Sequence, residues 1–159
     1  MKDNTSSQYH TVRGFQLMNK QDSSLTPAME DYLEMAFKLC LQDGYTRVGR
    51  LSEQLHVRPS SASKMILKLT ELGYLEYDRN ESIQLTKKGR ENGQYLLDRH
   101  QTMEAFLTLL GSRDPLKETE QIEHFLSSYT ISRLKVLVEF LTLNPQCLPK
   151  PDDGETLIK

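Results

Sequence analysis

Tryptophan is absent from the 159 residues, glycine and proline number only eight and six, and there are two cysteines. So little glycine and proline excludes a collagen-like or low-complexity chain and suits a helix-rich one. Cys40 and Cys147 are far apart and form no CxxC pair. A thiolate zinc ribbon is thereby disfavoured, and free thiols in a reducing compartment are expected. Long apolar runs are also missing, with nothing near the ~20 residues that cross a bilayer. The first residues hold no apolar signal core, so the expected location is cytoplasmic. A strong charge of one sign is lacking too, since the net charge is −2.

The charge is unevenly spread. Residues 44–90 carry nine Lys/Arg and five Asp/Glu, a balance of +4, which leaves −6 for the rest. A basic segment in an acidic chain is a modest electrostatic footprint for nucleic acid.

Residues 1–24 are polar and aperiodic and are expected to form a disordered tail. A first helix starts at Thr26-Pro27, a good N-cap followed by a good first-turn residue. Met29, Tyr32, Leu33, Ala36, Phe37 and Cys40 then make one apolar stripe, and Asp43-Gly44 closes the helix. A short helix over 47–55, a turn at His56-Val57-Arg58 and a helix over 59–72 follow. Strand, turn and strand over 74–77, 78–81 and 82–86 complete the series. That order is a winged helix-turn-helix, expected over 25–87. Helices over 87–110, 118–126 and 132–143 make an all-helical unit over 88–143, with an irregular tail over 144–159. The fold class is mainly α with a small β-wing. Leu96, Met103, Phe106, Leu107, Leu110, Phe125, Leu134, Leu137 and Phe140 offer more apolar surface than a short helical hairpin can bury. Dimerisation is therefore expected.

Six metal-ligand-type side chains fall on three of these helices. Asp31 and Glu34 stand three apart on the first helix, opposite the stripe containing Met29, Leu33 and Cys40. His100 shares a face with Leu96, Met103 and Leu107. Glu120, Glu123 and His124 stand at i, i+3 and i+4, with Ile122, Phe125 and Leu126 on the other side. Taken singly, each group has a plain reading: a solvated acidic face, a core histidine, a polar outer face. Taken together, four carboxylates and two imidazoles would repel one another unless one or two divalent cations cancelled the charge. Carboxylate oxygens with a few imidazoles suit Mn²⁺, and less distinctively Fe²⁺, Co²⁺ or Zn²⁺; the lack of thiolate and thioether disfavours Cu(I). His10 and His56 have no such company.

The helix from Pro59 is the candidate reader of DNA. Arg58, Pro59, Ser60, Ser61 and Ser63 lie at its start, where small hydroxyls near a helix N-terminus can approach phosphates and base edges. Lys64 and Lys68, four apart, would face one side, and Arg79 would sit at the wing tip. The plain reading of the serines is helix capping alone.

Met29-Glu-Asp-Tyr-Leu-Glu34, Val57-Arg-Pro-Ser-Ser-Ala-Ser-Lys-Met65, Leu85-Thr-Lys-Lys-Gly89, Arg99-His100 and Glu120-Gln-Ile-Glu-His-Phe-Leu-Ser127 together resemble the diphtheria-toxin-repressor family of metalloregulators. More narrowly, they resemble its manganese-responsive branch, over residues 26–143. The resemblance implies a homodimer that binds double-stranded operator DNA, with a binuclear manganese site, two ions per subunit, between its domains. Asp31, Glu34, His100, Glu120, Glu123 and His124 match that branch's ligands position by position. In the iron-responsive branch the positions of Asp31 and Glu120 are typically Met and Cys. The branch often has a second His after His124, where this chain has Phe125. No room remains for the iron branch's third domain.

The expected function is that of a Mn²⁺-responsive DNA-binding transcriptional regulator, a repressor of manganese uptake genes active as a metal-bound homodimer. No small-molecule substrate and no membrane partner are expected. An enzyme is not expected either, since no nucleophile, phosphate loop or Ser/His/Asp grouping accompanies the cluster. The alternatives are an iron-responsive repressor of the same family, or a winged-helix factor not regulated by metal, in which the six residues would be scattered.

Overall fold

The computed structural model describes residues 25–78 and 80–148. The expected tail over 1–24, the wing-tip Arg79 and residues 149–159 lie outside the described residues. The chain divides into two compact units, with the division between Thr86 and Lys87.

The first unit opens with α1, Pro27–Asp43. Thr26 accepts a hydrogen bond from the Met29 amide, and Pro27 occupies the first turn, where its missing N–H costs nothing. Gly44, at φ 78°, adopts the left-handed conformation that ends α1, and its amide reaches the Cys40 carbonyl at 2.8 Å. A two-residue strand, β1 (Thr46–Arg47), precedes α2 (Val48–Gln54) and α3 (Pro59–Glu71). Strands β2 (Leu75–Tyr77) and β3 (Ser82–Leu85) form the wing. The sheet order is β1-β3-β2, antiparallel, with Thr46 opposite Ile83 and Leu75 opposite Leu85.

Strand β1 corrects the expected helix over 47–55, which begins one residue later and is preceded by a sheet edge. A two-residue strand is too short to show a period of two, so periodicity cannot reveal it. The Asp78 carboxylate accepts from the amides of Asn80 and Ser82, each at 2.9 Å, which holds the turn into β3. His56 closes α2 at φ 53°, a left-handed conformation that costs a residue bearing a Cβ about 1–2 kcal/mol.

Leu33, Ala36 and Phe37 of α1 are buried, as are Leu51 of α2 and Ala62, Ile66 and Leu69 of α3. With Leu75, Ile83 and Leu85 from the sheet they form this unit's core. Each large aliphatic side chain so buried contributes about 1.5–3 kcal/mol. Cys40 belongs to the core as a free thiol and lies 3.7 Å from the Ile83 carbonyl.

The second unit is all-helical over its described residues: α4 (Lys87–Leu109), α5 (Pro115–Ile122), a 3₁₀ turn (Glu123–Phe125), α6 (Ser128–Leu143) and a 3₁₀ turn (Pro145–Cys147). Helix α4 packs against both α5 and α6. Two helix starts lie earlier than expected, and a capping side chain explains each. The Asp114 carboxylate accepts from the Lys117 amide with Pro115 in the first turn, and the Ser127 hydroxyl accepts from the Thr130 amide. The expected helix over 118–126 is corrected at its other end as well, because regular α-geometry stops at Ile122. The apolar core here is small, with Leu96, Met103, Leu107 and Ile131. Arg99, His100, Thr102, Thr119 and Glu123 are buried beside them.

Candidate metal centre and nucleic-acid interface

The second unit gathers its metal-ligand-type residues around one turn of α4. His100, on the same face as Leu96, Met103 and Leu107, is only 6% exposed. Its Nδ1 lies 3.4 Å from Oε1 and 3.3 Å from Oε2 of Glu123, and 3.8 Å from Oε1 of Glu120. Glu123 is 1% exposed, and its Oε2 makes no hydrogen bond of good geometry among the described residues. A carboxylate buried with a poorly satisfied oxygen is costly unless a cation completes it.

Glu120, at the exposed end of the cluster, keeps a side chain that is 57% accessible. His124 stands on the 3₁₀ turn, with Nδ1 3.2 Å from Nη2 of Arg99. Arg99 Nε in turn lies 3.8 Å from Oε2 of Glu123.

The plain reading of a polar outer face fails for Glu123, which points inward, while Ile122 and Phe125, on the other side of the segment, are exposed. From Glu123 the backbone is 3₁₀, turning about 120° per residue instead of about 100°.

In the first unit, Glu34 is 7% exposed and ion-paired with Lys38 Nζ at 2.6 Å. Asp31, one turn earlier on α1, is half-buried. Glu34 is therefore no part of the solvated acidic face that the plain reading supposes. Burial also pushes the Tyr32 phenol up, so it stays protonated across the ordinary pH range.

Two residues near the cluster escape the sequence reading. Glu104 places Oε2 3.9 Å from His100 Nε2. Its i+4 spacing from His100 was an available signal. Arg99 stands in the Arg99-His100 pair of the resemblance, but its burial leaves no signal, because an arginine in a helix ordinarily reads as solvent-facing.

The donors present are carboxylate oxygens and imidazole nitrogens, a set that fits a divalent cation of the manganese–iron–cobalt–zinc group.

The first unit presents α3 outward. Arg58, Pro59, Ser60, Ser61, Lys64 and Lys68 are exposed and Ser63 is half-buried. No side chain caps the start of α3, and the Ser63 hydroxyl donates to the Pro59 carbonyl at 3.0 Å. The capping-only reading of Ser60 and Ser61 thus finds no support in this helix. Leu67, half-exposed between Lys64 and Lys68, is an apolar residue on this helix that charge-based reasoning passes over.

A winged helix-turn-helix followed by an all-helical unit with a buried carboxylate–imidazole cluster defines a metal-regulated, DNA-binding transcriptional regulator. Family comparison narrows the class. Residues 24–83 match the iron dependent repressor N-terminal DNA binding domain, and residues 86–152 match the iron dependent repressor metal binding and dimerisation domain. The chain belongs to this family.

It is 38% identical over 133 residues to the HTH-type transcriptional regulator MntR of Lysinibacillus sphaericus (strain C3-41), covering 82% of this chain and 96% of that one. It is 40% identical over 125 residues to the MntR of Listeria welshimeri, covering 77% and 88%. Among solved structures it resembles the manganese regulator SloR, at 26% identity and a TM-score of 0.62. It also resembles the metal-dependent transcriptional regulator MtsR, at 29% and 0.65. In each case the match covers 73% of this chain and 55% of the solved one.

Proposed function

We propose that this chain is a Mn²⁺-responsive repressor of manganese uptake genes, active as a metal-loaded homodimer on double-stranded operator DNA. The observation that carries the metal reading is Glu123, buried against His100 with an oxygen that lacks a well-formed hydrogen bond. Asp31, Glu34, His100, Glu120, Glu123 and His124 are the proposed ligands, holding two ions per subunit. Oxygen and nitrogen donors without thiolate or thioether favour manganese over the iron named in the family description. The relatives called MntR and the manganese regulator SloR support the same choice.

A bound ion would bias the reading heads toward the spacing of one operator, without touching the DNA. DNA contacts are proposed for Arg58, Pro59, Ser60, Ser61, Ser63, Lys64, Lys68 and Arg79, with phosphates supplying most of the affinity. Homodimerisation is supported by the matched dimerisation domain and by the exposed apolar side chains of α6. The proposed setting is the cytoplasm; among the described residues no helix is long and apolar enough to cross a membrane.

Operator affinity measured at fixed salt across Mn²⁺, Fe²⁺, Co²⁺ and Zn²⁺ tests this reading. Mn²⁺ should raise affinity at the lowest free concentration relative to its intrinsically weak binding. Glu123→Gln should lose the metal response while its far-UV circular dichroism stays unchanged. A Glu123→Gln protein that still responds to Mn²⁺ like the wild type would remove the site assignment.

A further inference from the structure

We infer that Arg99 is a built-in competitor for the metal: the guanidinium and an ion cannot both hold His124, so loading the site displaces Arg99. This rests on the assignment of Glu123 and His124 as ligands in the preceding section. Arg99 is 3% exposed, with Nη2 3.2 Å from His124 Nδ1 and Nε 3.8 Å from Glu123 Oε2. A guanidinium has five N–H donors, no acceptor, and stays protonated. The 3.2 Å contact therefore has one polarity, with Arg99 donating to the Nδ1 lone pair.

A neutral imidazole carries a lone pair on only one nitrogen. With Nδ1 engaged by Arg99, the ring proton sits on Nε2, and neither nitrogen is open to an ion. An ion that takes Nδ1 replaces Arg99 outright. An ion that takes Nε2 sends the ring proton to Nδ1, where it meets an N–H of Arg99. Both routes break the bond, with no net release of a proton from the ring.

Charge points the same way. In the metal-free protein Arg99 sets a positive charge beside the buried Glu123 carboxylate, a group that would be costly to leave alone. A divalent ion on that carboxylate would repel the guanidinium. The metal-free site is thus closed by an internal cation. Every metal must displace the same group, so Arg99 sets the concentration threshold of the sensor without altering the ranking of metals.

The test uses the full-length protein. In Arg99→Met, calorimetric titration should show Mn²⁺ and Zn²⁺ binding tightened alike by about tenfold, near the worth of one charge-assisted hydrogen bond. The metal-free melting temperature should fall. Unchanged or weaker metal binding in Arg99→Met would overturn the inference, and rescue by Arg99→Lys would mark Arg99 as a positioning group for Glu123.

A second measurement needs no variant: ¹⁵N NMR of wild-type Arg and His side chains, with Zn²⁺ as a diamagnetic probe. The Arg99 Nη protons should be protected without metal and lose protection as the His124 nitrogens shift on loading. If His124 shifts while Arg99 stays protected, the competitor is wrong and the metal site survives. If His124 does not respond at all, the ligand assignment itself fails.

Discussion

At the residue scale, the hardness of two side chains separates the manganese from the iron reading. Asp31 and Glu120 both offer carboxylate oxygen, and Glu120 lies within 3.8 Å of His100 while remaining largely exposed. Replacing both with softer donors, Asp31→Met with Glu120→Cys, should move the response from Mn²⁺ toward Fe²⁺ or Co²⁺. Operator-binding titrations across the metals check this, and an unchanged ranking would refute hardness as the basis of selectivity. Legibility at this scale was uneven. The identities of the candidate ligands stand plainly in the sequence, because carboxylate and imidazole at helical spacing are readable. The burial of Glu123 is not readable, since the same spacing on a solvated face looks identical.

At the element scale, helix ends follow local cap chemistry. Thr26-Pro27 and Gly44 mark the ends of α1 as expected, because each acts through local backbone chemistry. Asp114-Pro115 and Ser127 carry the same kind of signal at the starts of α5 and α6. The 3₁₀ turn after Ile122 has no comparable signal. The chain must leave regular helix before Ser127 can cap α6, and it does so over Glu123–Phe125.

Helix-turn-helix geometry depends on His56 at φ 53°. His56→Gly should raise the unfolding free energy by about 0.5–1 kcal/mol, the relieved left-handed strain less the added freedom of glycine in the unfolded chain. Denaturant melts would show a higher midpoint at unchanged slope; a lower midpoint would mean the histidine side chain stabilises the turn. On α3, Lys64 and Lys68 are exposed one turn apart. If each contacts a phosphate, Lys64→Ala should weaken binding to all sequences alike and lower the salt slope of log K by about 0.9. A loss confined to one operator base pair would instead make Lys64 a base reader.

At the scale of the whole molecule, the described residues of the second unit leave many large apolar side chains exposed. Val136, Leu137, Phe140 and Leu143 are all exposed along α6, and Leu110, Leu116 and Phe125 are exposed elsewhere in the unit. Soluble monomers rarely expose contiguous apolar patches beyond a few hundred Å². Phe140 is 52% exposed in the single chain, and Phe140→Asp should put a charge into the proposed dimer contact. Sedimentation velocity should find that variant monomeric at concentrations where the wild type is a dimer, with operator affinity reduced in step. A dimer of unchanged stability would move the interface away from α6.

The amino-acid sequence by itself determined which segments are helical, which residues could bind a metal and where the basic segment lies, because helix caps, apolar periodicity and side-chain chemistry are local properties. Only the tertiary structure decided the rest. It added β1 to the wing, since a two-residue strand exists only through its pairing with β3. It turned Glu123 inward and left Ile122 and Phe125 outside, since packing against α4, not residue spacing, decides which face of the segment is buried. It also brought Arg99 onto His124, a contact across 25 residues of sequence that no spacing rule connects, because packing between helices and not periodicity brings such groups together.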